Sequence, residues 1–146
     1  MASAAPRTTT AVDLVCYDGD CGMCHGAVKR LVRWDRDGSR FSFAPLGGPT
    51  ATTRLGGRGP LPDSIVVLSD SGDVWSEFAA VRRIAERLGD GGALRWKLAA
   101  RLLRGVPDFV GNLVYRAIAR IRRQIAPVPD GACPLLPPDL ARRFKA

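Results

Sequence analysis

The period of the apolar positions changes along the chain, and each change predicts an element. Val12-Asp13-Leu14-Val15-Cys16-Tyr17 is a short apolar, β-branched run that predicts a buried strand. Asp18-Gly19-Asp20 is a turn cluster that stops it. From Cys24 to Trp34, Ala27, Val28, Leu31 and Val32 recur at helical spacing with Lys29, Arg30 and Arg33 opposite, and Asp37-Gly38 ends that helix. Phe41-Ser42-Phe43-Ala44 alternates as a second strand, and residues 45–62 form a Gly/Pro-rich connection with room for one helical turn. Ser64-Ile65-Val66-Val67-Leu68-Ser69 is a third strand. Asp70-Ser71-Gly72-Asp73 then has hairpin-turn chemistry and leads into a fourth at Val74-Trp75. Phe78, Val81, Ile84, Ala85 and Leu88 restore the helical period, with Gly89 as its stop. Two further amphipathic helices are predicted at 94–104 and 107–126, Pro107 suiting a first helical position.

Strand, helix, strand, hairpin and helix in that order describe an α/β domain with a small sheet and helices on its faces. The length of 146 residues fits one domain. The expected organisation is a flexible arm at 1–11 and a single domain at 12–146, with a helical extension at 92–127 and a tail at 128–146. Hydrophobic residues at 46% and charged ones at 25% exclude a disordered chain. The longest uncharged stretch, Phe41 to Thr53, is broken by Pro45, Gly47, Gly48 and Pro49, so no membrane span is expected. The first twelve residues hold no apolar stretch of the secretory kind, which sets a cytoplasmic location as the expectation.

Charge adds an asymmetry. Residues 1–73 hold eight Lys/Arg and eight Asp/Glu, whereas 74–146 hold fourteen against six, so the net +8 lies in the second half. Solvated helix faces account for this most simply. The functional alternative is a non-catalytic binding module that docks an anionic surface through Arg101, Arg104, Arg116, Arg120 and Arg123. Nucleic acid is the less favoured partner.

The chemistry sits at the first strand-to-helix junction, in Asp18-Gly19-Asp20-Cys21-Gly22-Met23-Cys24-His25. A CxxC pair in a βαβ setting reads as a thiol redox motif. Two thiols at that spacing on a helix start approach closely enough to form a disulfide, and unpaired N–H groups and the helix dipole favour a thiolate at the first of them. Cys21 is thus the expected nucleophile and Cys24 the resolving thiol. Other readings compete. Cys21-Gly22-Met23-Cys24-His25 also matches covalent c-type haem attachment, but only Met1 and Met23 supply a thioether. Cys16, Cys21, Cys24 and distant Cys133 echo an iron–sulfur spacing, although Cys16 lies in a strand pattern and is read as core. A zinc site on these cysteines, with or without His25, lacks a second metal-ligand pair.

Tyr17-Asp18-Gly19-Asp20-Cys21-Gly22-Met23-Cys24 resembles the opening motif of the DCC family of thiol-disulfide oxidoreductases, named for an Asp-x-x-Cys-x-x-Cys pattern. Phe43-Ala44-Pro45-Leu46, Asp63 to Leu68, Gly72-Asp73-Val74, Val106 to Phe109, Val114-Tyr115, Cys133-Pro134 and Arg143-Phe144 are similar to its later segments. Two places depart from it: Ile121-Arg122-Arg123, where members often read Asn-Arg-Tyr, and the helix entry Trp75-Ser76-Glu77-Phe78. The resemblance implies a thioredoxin-like fold, thiol or disulfide substrates on proteins or small molecules, a thiol electron donor and no bound cofactor. It carries Asp18 over as the family's Asp, a weak general base beside the thiols, with a purely turn-forming role as the alternative. Thioredoxin-like folds place a cis-proline before the third strand, facing the motif. Aligning the hairpin through Gly72 puts Ser64 in that slot, with a cis Pro62 as the alternative. Gly22, Met23 and His25 join Ser64 as candidate substrate contacts.

Overall fold

The computed structural model describes residues 11–18, 22–56, 65–125 and 142–145, with the backbone alone at 22–25, 122, 123 and 125. Within them run β1 (Asp13–Tyr17), α1 (Gly22–Trp34), β2 (Phe41–Pro45), α2 (Pro49–Leu55), β3 (Val66–Leu68), β4 (Val74–Ser76), α3 (Glu77–Asp90), α4 (Leu94–Arg104) and α5 (Asp108–Ile125). The sheet order is β2-β1-β3-β4. β1 pairs parallel with β2 from Asp13–Phe41 to Tyr17–Pro45, and antiparallel with β3 through Leu14–Leu68, Val15–Val67 and Cys16–Val66. β3 and β4 close the sheet as a hairpin. The chain thus forms the mixed α/β, thioredoxin-like sheet with flanking helices that the sequence led us to expect.

β1 is buried along its whole length, because both faces of the sheet are covered. Its pleat divides two cores. Val15 and Tyr17 point to one side, where Val28 and Leu31 of α1 meet Ala80, Ile84 and Leu88 of α3. Leu14 and Cys16 point to the other, against Ala51 and Leu55 of α2. The alternation of side chains along a strand makes this sorting obligatory.

Two fully buried aspartates tie the ends of these elements together. Asp13 accepts hydrogen bonds from Arg83 Nε at 2.8 Å and Nη2 at 3.3 Å, which fixes α3 across the start of β1. Arg87 lies beside the same carboxylate and donates to the Ala11 carbonyl. Asp35, just past α1, accepts from the backbone N–H groups of Arg40 and Phe41, from Arg40 Nη1 at 3.0 Å and from Arg143 Nη2 at 2.7 Å. Arg143 belongs to a short C-terminal strap on β2: Phe43 N–H donates to the Arg143 carbonyl at 2.8 Å, and Lys145 N–H donates to the Phe43 carbonyl at 2.7 Å. Gly38 turns the chain between α1 and β2 at φ 67°, a conformation that favours glycine, and a Cβ there would press on Arg143 at 3.2 Å.

Two elements differ from the sequence expectation. Residues 45–62 contain a seven-residue helix, α2, which Pro49 opens at a first-turn position and whose Ala51 and Leu55 fill the second core. α3 also runs through Gly89 to Asp90. Gly89 is buried where a Cβ would meet the backbone of Lys97 at 3.3 Å, so this glycine admits α4 and does not end α3. The chain turns instead at Gly92, with φ 88°.

α5 approaches α3 equally closely. A Cβ on Gly111 would lie 2.2 Å from Cδ1 of the Phe78 ring. Gly111→Ala should therefore destabilise the protein by about 1–3 kcal/mol through overpacking, despite alanine's better helix propensity. Urea unfolding measures it, and an unchanged or raised midpoint would refute the close contact.

Candidate functional site at the carboxyl end of β1

The candidate site is built where β1 ends. Tyr17 is the last strand residue, held by its carbonyl accepting from Leu46 N–H at 2.8 Å, and Asp18 follows, buried. α1 opens at Gly22, so Gly22, Met23, Cys24 and His25 all fall in its first turn. The helix starts two residues before Cys24, where the hydrophobic period alone begins. Cys21, Ser64, Pro62 and Cys133 lie outside the described residues, and the side chains of Met23, Cys24 and His25 are likewise undescribed. β1 lies between its parallel partner β2 and its antiparallel partner β3. The antiparallel pairing brings the start of β3, at Ile65 and Val66, alongside the end of β1. In open α/β sheets, ligands bind at the carboxyl ends of strands.

Cys16 belongs to β1 itself. It is fully buried on the α2 side of the sheet, whereas α1 packs on the opposite face with Val15 and Tyr17. Burial pushes its thiol from 9.0 up to about 11, with Arg54 pulling weakly the other way. The thiol is therefore protonated at neutral pH, the form least suited to attack disulfides or bind metal. Burial also raises the Tyr17 hydroxyl.

The structure adds a residue whose role the sequence reading missed. Tyr115 of α5 accepts a hydrogen bond at its Oη from the Ile65 backbone N–H at 2.9 Å. It thereby fixes the entry to β3 next to the end of β1. Asn112, one turn earlier, accepts the Phe78 N–H at its Oδ1 at 3.3 Å, meeting one of the unpaired donors at the start of α3. The only signal in the sequence was that Gly111, Asn112, Tyr115 and Ala119 form an uncharged stripe of α5 at helical spacing. The basic residues proposed as an anion-docking set divide. Arg104 pairs with Glu86 and Arg116 with Glu77, Arg101 and Arg120 have no ion pair among the described residues, all four are exposed, and the side chain of Arg123 is undescribed.

A family model described as DCC1-like thiol-disulfide oxidoreductase matches residues 15–127. The chain is 32% identical over 132 residues to a Bacillus subtilis (strain 168) protein described as "Uncharacterized protein YuxK", covering 88% of this chain and 90% of that relative. No solved structure matches significantly.

Two outcomes follow from this geometry. The folded state keeps the Cys16 proton above the pH at which the unfolded chain releases it. The contribution of Cys16 to stability is therefore complete below pH 9 and declines as pH rises from 9.0 toward about 11. Chemical unfolding of wild type and Cys16→Ala across that range should show a wild-type loss larger by on the order of 2 kcal/mol. Parallel pH profiles would refute the burial argument. Tyr115→Phe should cost about 1 kcal/mol and speed hydrogen exchange at the Ile65 amide, measured by NMR; unaltered exchange at Ile65 would deny Tyr115 its hold on β3.

Proposed function

The chain belongs to the DCC1-like thiol-disulfide oxidoreductase family, and on that premise we propose that it catalyses dithiol–disulfide exchange through Cys21 and Cys24 in the reducing direction. The observation that carries this reading is the opening of α1 at Gly22, directly after Cys21 and four residues past buried Asp18 in the sequence. A helix begun there points unpaired N–H groups and the positive end of its dipole toward the motif. Those groups favour the thiolate, which is the attacking species.

The reaction balances as two exchanges. The Cys21 thiolate attacks a substrate disulfide, forming a mixed disulfide and releasing one substrate sulfur as a thiolate that takes up a proton. Cys24 gives its proton to Asp18, directly or through water, and attacks the Cys21 sulfur. The second substrate thiol leaves, and a Cys21–Cys24 disulfide remains. Two electrons have then passed to the substrate, and an external thiol donor restores the dithiol. Ser64, two positions before Val66 in the sequence, is proposed as a substrate contact with Gly22, Met23 and His25. No bound cofactor takes part.

The test is trapping. Cys21→Ser should abolish reduction of a model disulfide, and Cys24→Ser should accumulate mixed disulfides on Cys21 that mass spectrometry identifies. Retained activity in Cys21→Ser, or an empty trap together with inactive wild type, would overturn the assignment. The acidic residues Asp18 and Asp20 oppose a strongly stabilised thiolate. The potential should accordingly lie nearer about −250 mV than about −120 mV. A glutathione titration should also show Asp18→Asn shifted toward a more oxidising value, and the opposite shift would remove Asp18 from this role.

A further inference from the structure

α4 contains four basic residues and no acidic one, and its exposed side sets them beside a row of leucines. Ala100 is buried and Trp96 and Leu103 are half-buried on its inner side. Leu94, Leu98 and Leu102, each four residues on, stand on the outer side at 68%, 49% and 75% exposure. Helical geometry sets Lys97 and Arg101 along one border of this ridge and Arg95 along the other. Among the described residues, no ion pair engages any of those three cations. α5 repeats the arrangement, with Phe109 and Leu113 at 75% and 69% exposure beside Arg116 and Arg120. Residues 94–125 together hold eight Lys/Arg against a single acidic residue, Asp108, whose carboxylate is already paired with Arg82 at 2.9 Å.

We propose that α4, with the outer face of α5, is a docking surface for an anionic lipid bilayer. Exposed leucine and phenylalanine enter the headgroup–acyl boundary, and the flanking Arg and Lys side chains meet lipid phosphates. An apolar ridge bordered by cations is the pattern of an interfacial helix lying in the membrane plane. No helix among the described residues is long and apolar enough to cross a membrane, so the association is peripheral. Charge argues against a second copy as occupant, since two surfaces with this cationic excess repel. The leucine ridge argues against nucleic acid, because it sets apolar groups where phosphates would need donors.

The test uses the full chain sedimented with vesicles of phosphatidylcholine alone, or of phosphatidylcholine and phosphatidylglycerol in equal parts. Binding to the anionic vesicles should be at least about ten-fold stronger than to the neutral ones and should weaken as salt rises. The variants Leu98→Glu/Leu102→Glu and Arg95→Gln/Lys97→Gln/Arg101→Gln should each lower it by about ten-fold, with circular dichroism and reduction of a soluble disulfide unchanged. Equal affinity for neutral vesicles, or undiminished binding by either variant, overturns the proposal. So does a chain that ignores vesicles but forms a dimer dissociated by Leu98→Glu/Leu102→Glu, or one that ignores vesicles but binds an oligonucleotide.

Discussion

The burial of β1 on both faces is the constraint from which the rest of the fold follows. A strand in that position cannot be stabilised by one layer of helix, so the chain must supply cover twice. α1 and α3 provide it on the Val15 and Tyr17 side, and the shorter α2 on the Leu14 and Cys16 side. The same constraint makes Asp13 a problem, because a carboxylate begins a strand that has no wet face. Two arginines from one face of α3, Arg83 and Arg87, answer it. A buried charge stripped of its partner is far more destabilising than the pair is stabilising. Asp13 therefore specifies how α3 lies across the strand more than it adds stability.

Asp35 plays the corresponding part at the other end of the α1–β2 connection. Its carboxylate gathers two backbone N–H groups and two guanidinium groups at a point without solvent access. One guanidinium is from Arg143, which lies far along the chain, so the register of the C-terminal strap on β2 is set by a group that α1 delivers. Phe144 then stacks on Phe43 with ring centroids 5.2 Å apart. The helical extension contributes to the sheet in the same manner. Tyr115 holds the N–H before β3, Asn112 meets the start of α3, and Glu77, at the left-handed φ of 53° where β4 becomes α3, is held by Arg116. α5 thus steadies the strand entry beside the candidate site while its outer face remains exposed.

Much of this was legible in the sequence, and the remainder was not for identifiable reasons. Val12–Tyr17 declared a strand because β-branched and apolar residues, interrupted only by Asp13, led up to a turn cluster, and α1, α4 and α5 declared themselves by period. α2 was obscured because Gly and Pro on both sides dominate its local signal, and only burial of Ala51 and Leu55 reveals why it forms. Gly89 was misleading: a glycine late in a helix has two explanations, chain reversal and close approach, and a single sequence does not separate them. Arg83 and Arg143 lie 70 and 108 residues from Asp13 and Asp35, so no local pattern announces those two pairs. At the site, the CxxC spacing and the junction were legible. The clamp at Tyr115 was not, because a tyrosine on the inner stripe of an amphipathic helix reads as core until its hydroxyl has an address.

The placement of Cys16 shows how little sequence distance matters beside pleat parity. Cys16 precedes Cys21 by only five positions, and a ligand-spacing argument groups it with Cys21 and Cys24. The strand places it beneath the sheet among Ala44, Ala51 and Leu55, while α1 rises on the other face. Desolvation there holds the thiol neutral far above physiological pH. Moving this cysteine by one position along β1 would exchange its face and place it on the side of α1. The same buried strand that organises the fold thus also sets its cysteine on the face opposite α1, the helix whose first turn includes Cys24.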